Sequence, residues 1–135
     1  MSIRTKDLRE YLRRTQGAEN PAAAAKPKRS GMNKTEARFG ALLNVRKAAG
    51  EFDQVGFEAL TFRLGFDCRF TPDWTCWFPN GGIVCYEVKG RTGHKWYAKE
   101  DAMVKLRAAS SMYPKVKFIL VWPDGEGWET KEIQQ

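Results

Sequence analysis

A chain of 135 residues, 42% hydrophobic and 13% aromatic, is long enough for one domain with one buried core. Its formal net charge of +7 and isoelectric point of about 9.5 favour a polyanionic partner over an acidic or neutral one. No apolar run reaches the roughly 18 residues that a membrane span needs, and the N-terminus is charged and polar, so the sequence predicts no membrane contact, no secretory signal and a cytoplasmic location.

The charge is unevenly placed. Residues 1–31 hold eight Lys/Arg against three Asp/Glu, whereas residues 32–135 hold fifteen against thirteen, which divides the chain into a basic arm with its linker and a nearly balanced domain. Within the arm, residues 2–16 are compatible with a short helix carrying Ile3, Leu8, Tyr11 and Leu12 among Arg4, Lys6, Arg9, Arg13 and Arg14. Residues 17–31 combine two prolines, an alanine run and the cluster Lys26, Lys28 and Arg29, a linker composition with little to bury. The arm reads equally as a solvated extension or as a grip on phosphates.

Residues 33–49 read as a helix, with Ala37, Ala41, Leu42, Val45, Ala48 and Ala49 at helical spacing and Gly50 as its stop. Asn33 and Glu36 form the pattern of a capping box. Glu36 thus has two available jobs: to satisfy the first turn of the helix, or to face the hairpin that follows and add a metal ligand. Residues 52–70, broken at Gly56 and Gly65, read as one or two strands.

A hairpin is expected from about Cys68 to Val88, turning at Pro79-Asn80-Gly81-Gly82. Folding back about residue 80 brings Asp73 level with Glu87 or within one residue of it. Alternation along the second strand sets Glu87 and Lys89 on one face and Val88 on the other. Two carboxylates at a sheet end are a hard oxygen site, suited to Mg²⁺ with water and phosphate oxygens. A lysine beside them could position or deprotonate an attacking water, or steady charge in the transition state of phosphodiester hydrolysis.

The basic loop 90–95 leaves this site with Arg91, His94 and Lys95 placed to lie against a phosphate; His94 reads as a solvated loop histidine or as a catalytic one. Residues 96–113 read as a second helix that buries Ala102, Met103, Leu106, Ala109 and Tyr113, carries Lys99 and other cations around it, and ends at Pro114. Its lysines are either an ordinary solvated face or a track for nucleic acid. Residues 116–122 read as an interior strand, followed by a Pro123-Asp124-Gly125 turn and an edge strand over 128–133. The three cysteines, Cys68, Cys76 and Cys85, form no Cys-x-x-Cys pair and read as reduced, buried packing residues, not as zinc ligands.

The expected architecture is an α/β fold: a mixed four- to five-stranded sheet flanked by helices in αβββαβ order, with a parallel pair made by the crossover through the second helix. Pro72-Asp73, Glu87-Val88-Lys89 and this order resemble the PD-(D/E)XK nuclease superfamily. The phrases MNKTEARFGALL, FTPDW, YEVKG and DAMVKLRAASSMYP, with the later KFILV, resemble a small phage-encoded family of that superfamily, over about residues 32–122. That resemblance implies a restriction-endonuclease-like core in which Asp73 and Glu87 bind Mg²⁺ or Mn²⁺ and the Val88 carbonyl also ligates. It further implies that Lys89 assists the water and that Glu36 matches the additional acid that several such nucleases carry on the first helix. The one departure is Trp74, where the pattern carries a smaller or aliphatic residue, and it bears on packing beside the site. By analogy with small phage nucleases, the expected activity is that of a metal-dependent endonuclease on branched or recombination-intermediate DNA, with an arm exchanged between the subunits of a homodimer. The rival expectation is a non-catalytic nucleic-acid-binding module of the same fold, acting in recombination or packaging.

Overall fold

The computed structural model describes residues 31–92, 95–96 and 100–134. Helix α1 (Lys34–Ala48) precedes strands β1 (Gln54–Phe57), β2 (Phe62–Gly65), β3 (Cys68–Phe70), β4 (Trp74–Trp77) and β5 (Ile83–Val88). The short strands β6 (Arg91–Thr92) and β7 (Lys95–Trp96), helix α2 (Glu100–Met112), β8 (Val116–Asp124) and β9 (Gly127–Glu132) complete the order. The class is mixed α/β. The main sheet has five strands in the order β1-β4-β5-β8-β9, antiparallel except for the β5–β8 pair, and two separate ribbons, β2–β3 and β6–β7, interrupt the expected succession of elements.

Alternation along the interior strands divides the core in two. Val84, Tyr86 and Val88 of β5 and Val121 of β8 pack with Phe39 and Leu43 of α1, while Cys85, Phe118 and Leu120 point the other way into a cluster with Leu106, Ala109 and Tyr113 of α2's side. β8 lies between β5 and β9, and the two clusters cover the opposite faces of its middle residues, Phe118 and Leu120 on one side and Val121 on the other, which explains its continuous apolar sequence.

Both ends of α1 are chemically specified. Asn33 Oδ1 accepts from the Glu36 amide at 2.8 Å and Glu36 Oε1 accepts from the Asn33 amide at 2.9 Å, a complete capping box. At the other end Gly50, at φ +91°, lets its N–H reach the Lys47 carbonyl and the Glu51 N–H reach that of Arg46, closing the helix in a Schellman motif. The buried face, however, is Glu36, Phe39, Gly40 and Leu43, whereas Leu42 and Val45 are exposed. Small alanines made the wrong stripe look apolar; the face that packs is chosen by Phe39 and Leu43, which bury far more area.

Gly40 is the point of closest approach. A Cβ there would lie 2.2 Å from the Trp74 ring, so the helix rests with its backbone directly on the indole. Trp74 is accommodated by this glycine, is only 5% exposed, and donates its Nε1–H to the Glu36 carbonyl at 3.1 Å. Arg38 stacks over Trp128, 4.7 Å from the ring centroid, and donates to the Glu126 carbonyl at 3.1 Å, tying the same helix to the β8–β9 turn.

Several expected boundaries move. The strand expected to begin the hairpin at Cys68 is broken after Phe70, because Thr71-Pro72 interrupts the backbone donors; β3 pairs back onto β2, and only Trp74–Trp77 pairs with β5. Trp96 does not start the second helix but pairs with Arg91 in the β6–β7 ribbon, and α2 begins at Glu100. Pro123 and Asp124 belong to β8, and the turn is Gly125-Glu126 with Gly125 at φ +60°. No helix among the described residues is long and apolar enough to cross a membrane.

Gly40→Ala tests the close approach. Helix propensity alone would favour alanine by ~1 kcal/mol, but overpacking against Trp74 should outweigh it and destabilise the fold by about 1–3 kcal/mol in denaturant unfolding. Combining it with Trp74→Leu should cost less than the sum of the two single variants.

Candidate active site

The site forms where β4 begins, β5 ends and the first turn of α1 crosses them. Continuing the ladder one step past Trp74↔Tyr86 sets Asp73 opposite Glu87. The pairing is carried by side chains. Asp73 donates its amide to Glu87 Oε1 at 3.2 Å, and its own Oδ2 accepts from the Val88 amide at 2.8 Å. The Asp73 carbonyl accepts from the Glu58 amide at 2.8 Å, fixing the residue from the β1 side. Lys89 Nζ lies 3.3 Å from Glu87 Oε2, and the Lys89 amide donates to the Val121 carbonyl at 2.8 Å, anchoring the end of β5 to β8.

Glu36 completes the capping box, and the same side chain also hydrogen-bonds the Asp73 carboxyl. It is 2% exposed and Asp73 6%. Burial pushes the Asp73 carboxyl up to about 8, with the charge of Glu87 and then the charge and hydrogen bond of Glu36 adding to the effect against the Val88 amide. Burial likewise holds Glu87 above the ordinary carboxylate range, although the Lys89 ammonium pulls it back. The thiols on the same two strands are shifted by the same physics: burial pushes Cys76 and Cys85 up to about 12, so both are held as neutral thiols. Cys68 is partly exposed, which corrects its reading as a buried packing residue.

Among the described residues no three His, Cys, Asp or Glu side chains converge as a ready-made metal cage. The carboxylate oxygens are instead engaged with amides, with Lys89 and with one another. The donor set nevertheless fits a hard divalent cation: Asp73, Glu87 and Glu36 offer only oxygen, the Val88 carbonyl lies beside them in sequence, and like charges crowded out of water would be relieved by a positive ion. Of the expected phosphate-binding residues, Arg91 and Lys95 fall on the β6–β7 ribbon that directly follows the site. His94, Lys99, Arg13, Arg14, Lys26, Lys28 and Arg29 lie outside the described residues. Trp74 is the residue near the site that composition did not point to. Its signal was a glycine in the middle of a helix, which leaves room for something large.

No protein-family model and no curated protein matches the chain. A solved structure described as the crystal structure of SSO0001 is similar over 99% of this chain and 68% of its own, with 17% identity and a TM-score of 0.43.

The raised Asp73 carboxyl predicts a pH dependence for the metal-free protein. The folded state holds a proton that the unfolded chain releases near 3.8, so this contribution to stability is complete below that pH and is lost as pH rises through about 8. In EDTA, stability should fall between about pH 4 and about pH 8, at a slope approaching ~1.4 kcal/mol per pH unit, and level off above that range, read as a falling melting temperature. Asp73→Asn should flatten the profile.

Proposed function

We propose that this protein is a metal-dependent DNA endonuclease of the PD-(D/E)XK class, acting on branched or recombination-intermediate DNA of the kind met in phage recombination. The observation that carries the reading is the meeting of Asp73, Glu87 and Lys89 at the joined ends of β4 and β5, with Glu36 brought against Asp73 by α1. Two buried acids, a part-buried third and a lysine drawn close together are costly as structure, and phosphodiester hydrolysis uses that set.

Asp73, Glu87, the Val88 carbonyl and Glu36 would hold Mg²⁺ or Mn²⁺, which when bound supplies charge neutralisation at the scissile phosphate and a more acidic water. The protein's own groups do the rest. Val88 N–H orients the Asp73 carboxylate, Asp73 N–H orients that of Glu87, and Lys89 Nζ, held by Glu87, orients the attacking water or donates to the phosphate oxygens. The pairing of Lys89 with Glu87 keeps the ammonium at the acids and not in solvent.

The basic arm and the cations of residues 91–99 would supply phosphate contacts, and the choice of branched DNA rests on analogy with small nucleases of the class. The competing reading, a binding module that cleaves nothing, predicts DNA binding without metal-dependent products. Incubating the protein with junction, flap, single-stranded and linear duplex DNA, in Mg²⁺ or in EDTA, separates the two.

Asp73→Asn and Glu87→Gln should abolish cleavage while leaving DNA binding intact or tighter in a gel-shift assay. Lys89→Ala should retain DNA binding and lose roughly 10²–10⁴ in rate. Glu36→Gln preserves most of the capping box, so a large loss of rate with an unchanged melting temperature would mark a ligand, and full activity would mark a cap alone. Removing residues 1–31 should flatten the dependence of log affinity on log salt by about 0.9 per lost phosphate contact. A change of oligomeric state without a change of slope would make the arm a subunit contact.

A further inference from the structure

The β2–β3 ribbon takes no part in the main sheet, yet its base is firmly held. Phe62 and Phe70 face each other across it, both buried, and pack on Tyr113 and Phe118 with ring centroids 4.9–6.4 Å apart. Thr61 and Thr71 join their hydroxyls at 2.7 Å at the neck, and Tyr113 Oη–H donates to the Arg63 carbonyl at 2.9 Å. Such a base leaves little freedom for what it carries.

At the far end Phe66 stands wholly in solvent, with a relative exposure of 102%, between Gly65 at φ +149° and Asp67 at φ +52°. An isolated exposed apolar residue is ordinary. This one is not isolated from charge. Arg63 and Arg69 are direct cross-strand partners, both exposed, with no ion pair to an acid among the described residues. Like charges placed opposite each other destabilise a ribbon unless an anion sits between or over them. The ladder also slips by one residue between Arg63 and Gly65, a bulge of the kind that re-aims a strand tip.

An aromatic face flanked by two guanidinium groups is what unpaired nucleotides recognise, with bases stacking on the ring and phosphates meeting the arginines. We propose that the β2–β3 ribbon is a finger that engages the unpaired strand at a DNA branch, with Phe66 stacking on the first exposed base and Arg63 and Arg69 gripping its backbone. This deepens the nuclease reading and rests on it. β3 runs through Thr71-Pro72 into Asp73. The seven peptide steps from Phe66 to Asp73 span at most ~25 Å of extended chain. The finger therefore fixes the scissile phosphate within about seven nucleotides of the branch, at ~3.4 Å per nucleotide.

The test uses the full chain in Ca²⁺ and in Mg²⁺ with a splayed fork, a linear duplex of equal length, and a fork bearing 2-aminopurine at the first unpaired base. The expected result is that Phe66→Ala weakens fork binding about tenfold or more, restores 2-aminopurine fluorescence quenched by the wild type, and leaves duplex binding unchanged. Phe66→Trp should behave as wild type. Replacing both arginines by glutamine should lower the salt slope on the fork by about 1.4. A wild type that cleaves forks while Phe66→Ala binds and cleaves them identically overturns the finger alone. A wild type that binds no DNA overturns the nuclease reading and the finger with it. Loss of binding to anionic vesicles in Phe66→Ala, with fork binding intact, would assign the tip to a lipid surface and overturn the proposal.

Discussion

The contact between the indole of Trp74 and the first half of α1 sets the relation between packing and chemistry in this protein. The ring lies under Gly40 and its N–H holds the carbonyl of Glu36, so the helix is fixed both in its distance from the sheet and in its position along it. Trp74 immediately follows Asp73, and the residue whose carbonyl it holds is the acid that meets Asp73. A shift of α1 by one turn, about 5.4 Å, would break the hydrogen bond, bring a side chain onto the indole and take Glu36 away from the acids. The first tryptophan of β4 and the smallest residue of the helix's buried face thus determine the composition of the carboxylate cluster.

That cluster is held against its own electrostatics. Carboxylates removed from water are unfavourable unless they are protonated, hydrogen-bonded or paired with a cation. The chain uses all three remedies: the Asp73 carboxyl is pushed up to about 8, amides of Val88, Asp73 and Asn33 donate into the group, and Lys89 stands at Glu87. None of them removes the repulsion entirely, which is the physical sense in which, under the proposed function, these oxygens would accept a doubly charged ion. The rigidity that tolerates this comes from the two apolar clusters on either face of the sheet, and from the anchoring of β5 to β8, whose Phe118, Leu120 and Val121 are buried.

Much of this was legible in the residues. The capping box and the terminal glycine bounded α1, and the uninterrupted apolar run of β8 marked an interior strand. The period of two in Glu87-Val88-Lys89 separated the charged face from the apolar one. What was hidden had physical causes. The buried face of α1 was misread because several alanines make a stripe without making much area, whereas Phe39 and Leu43 sit nearly half a turn away and bury more. Pro72, read as part of a motif, also ended a strand and sent β3 back onto β2. The β6–β7 ribbon lay in residues 90–95, read as a basic loop, and in Trp96, read as the start of a helix, because strands of two residues are too short to show a period. Long-range contacts such as Trp74 on Gly40 leave only a faint local trace, a glycine where a helix would prefer alanine.

The capping box has a further consequence. One oxygen of Glu36 holds the amide of Asn33, an exposed residue at the edge of the fold, while the same carboxyl hydrogen-bonds Asp73 inside it. Any rearrangement that draws the carboxyl inward must loosen its hold on that amide, and any that lets it relax must tighten it. Deuterium uptake at a single backbone nitrogen outside the helix therefore reports on the state of the buried acids, making the mouth of α1 a natural gauge of what the interior holds.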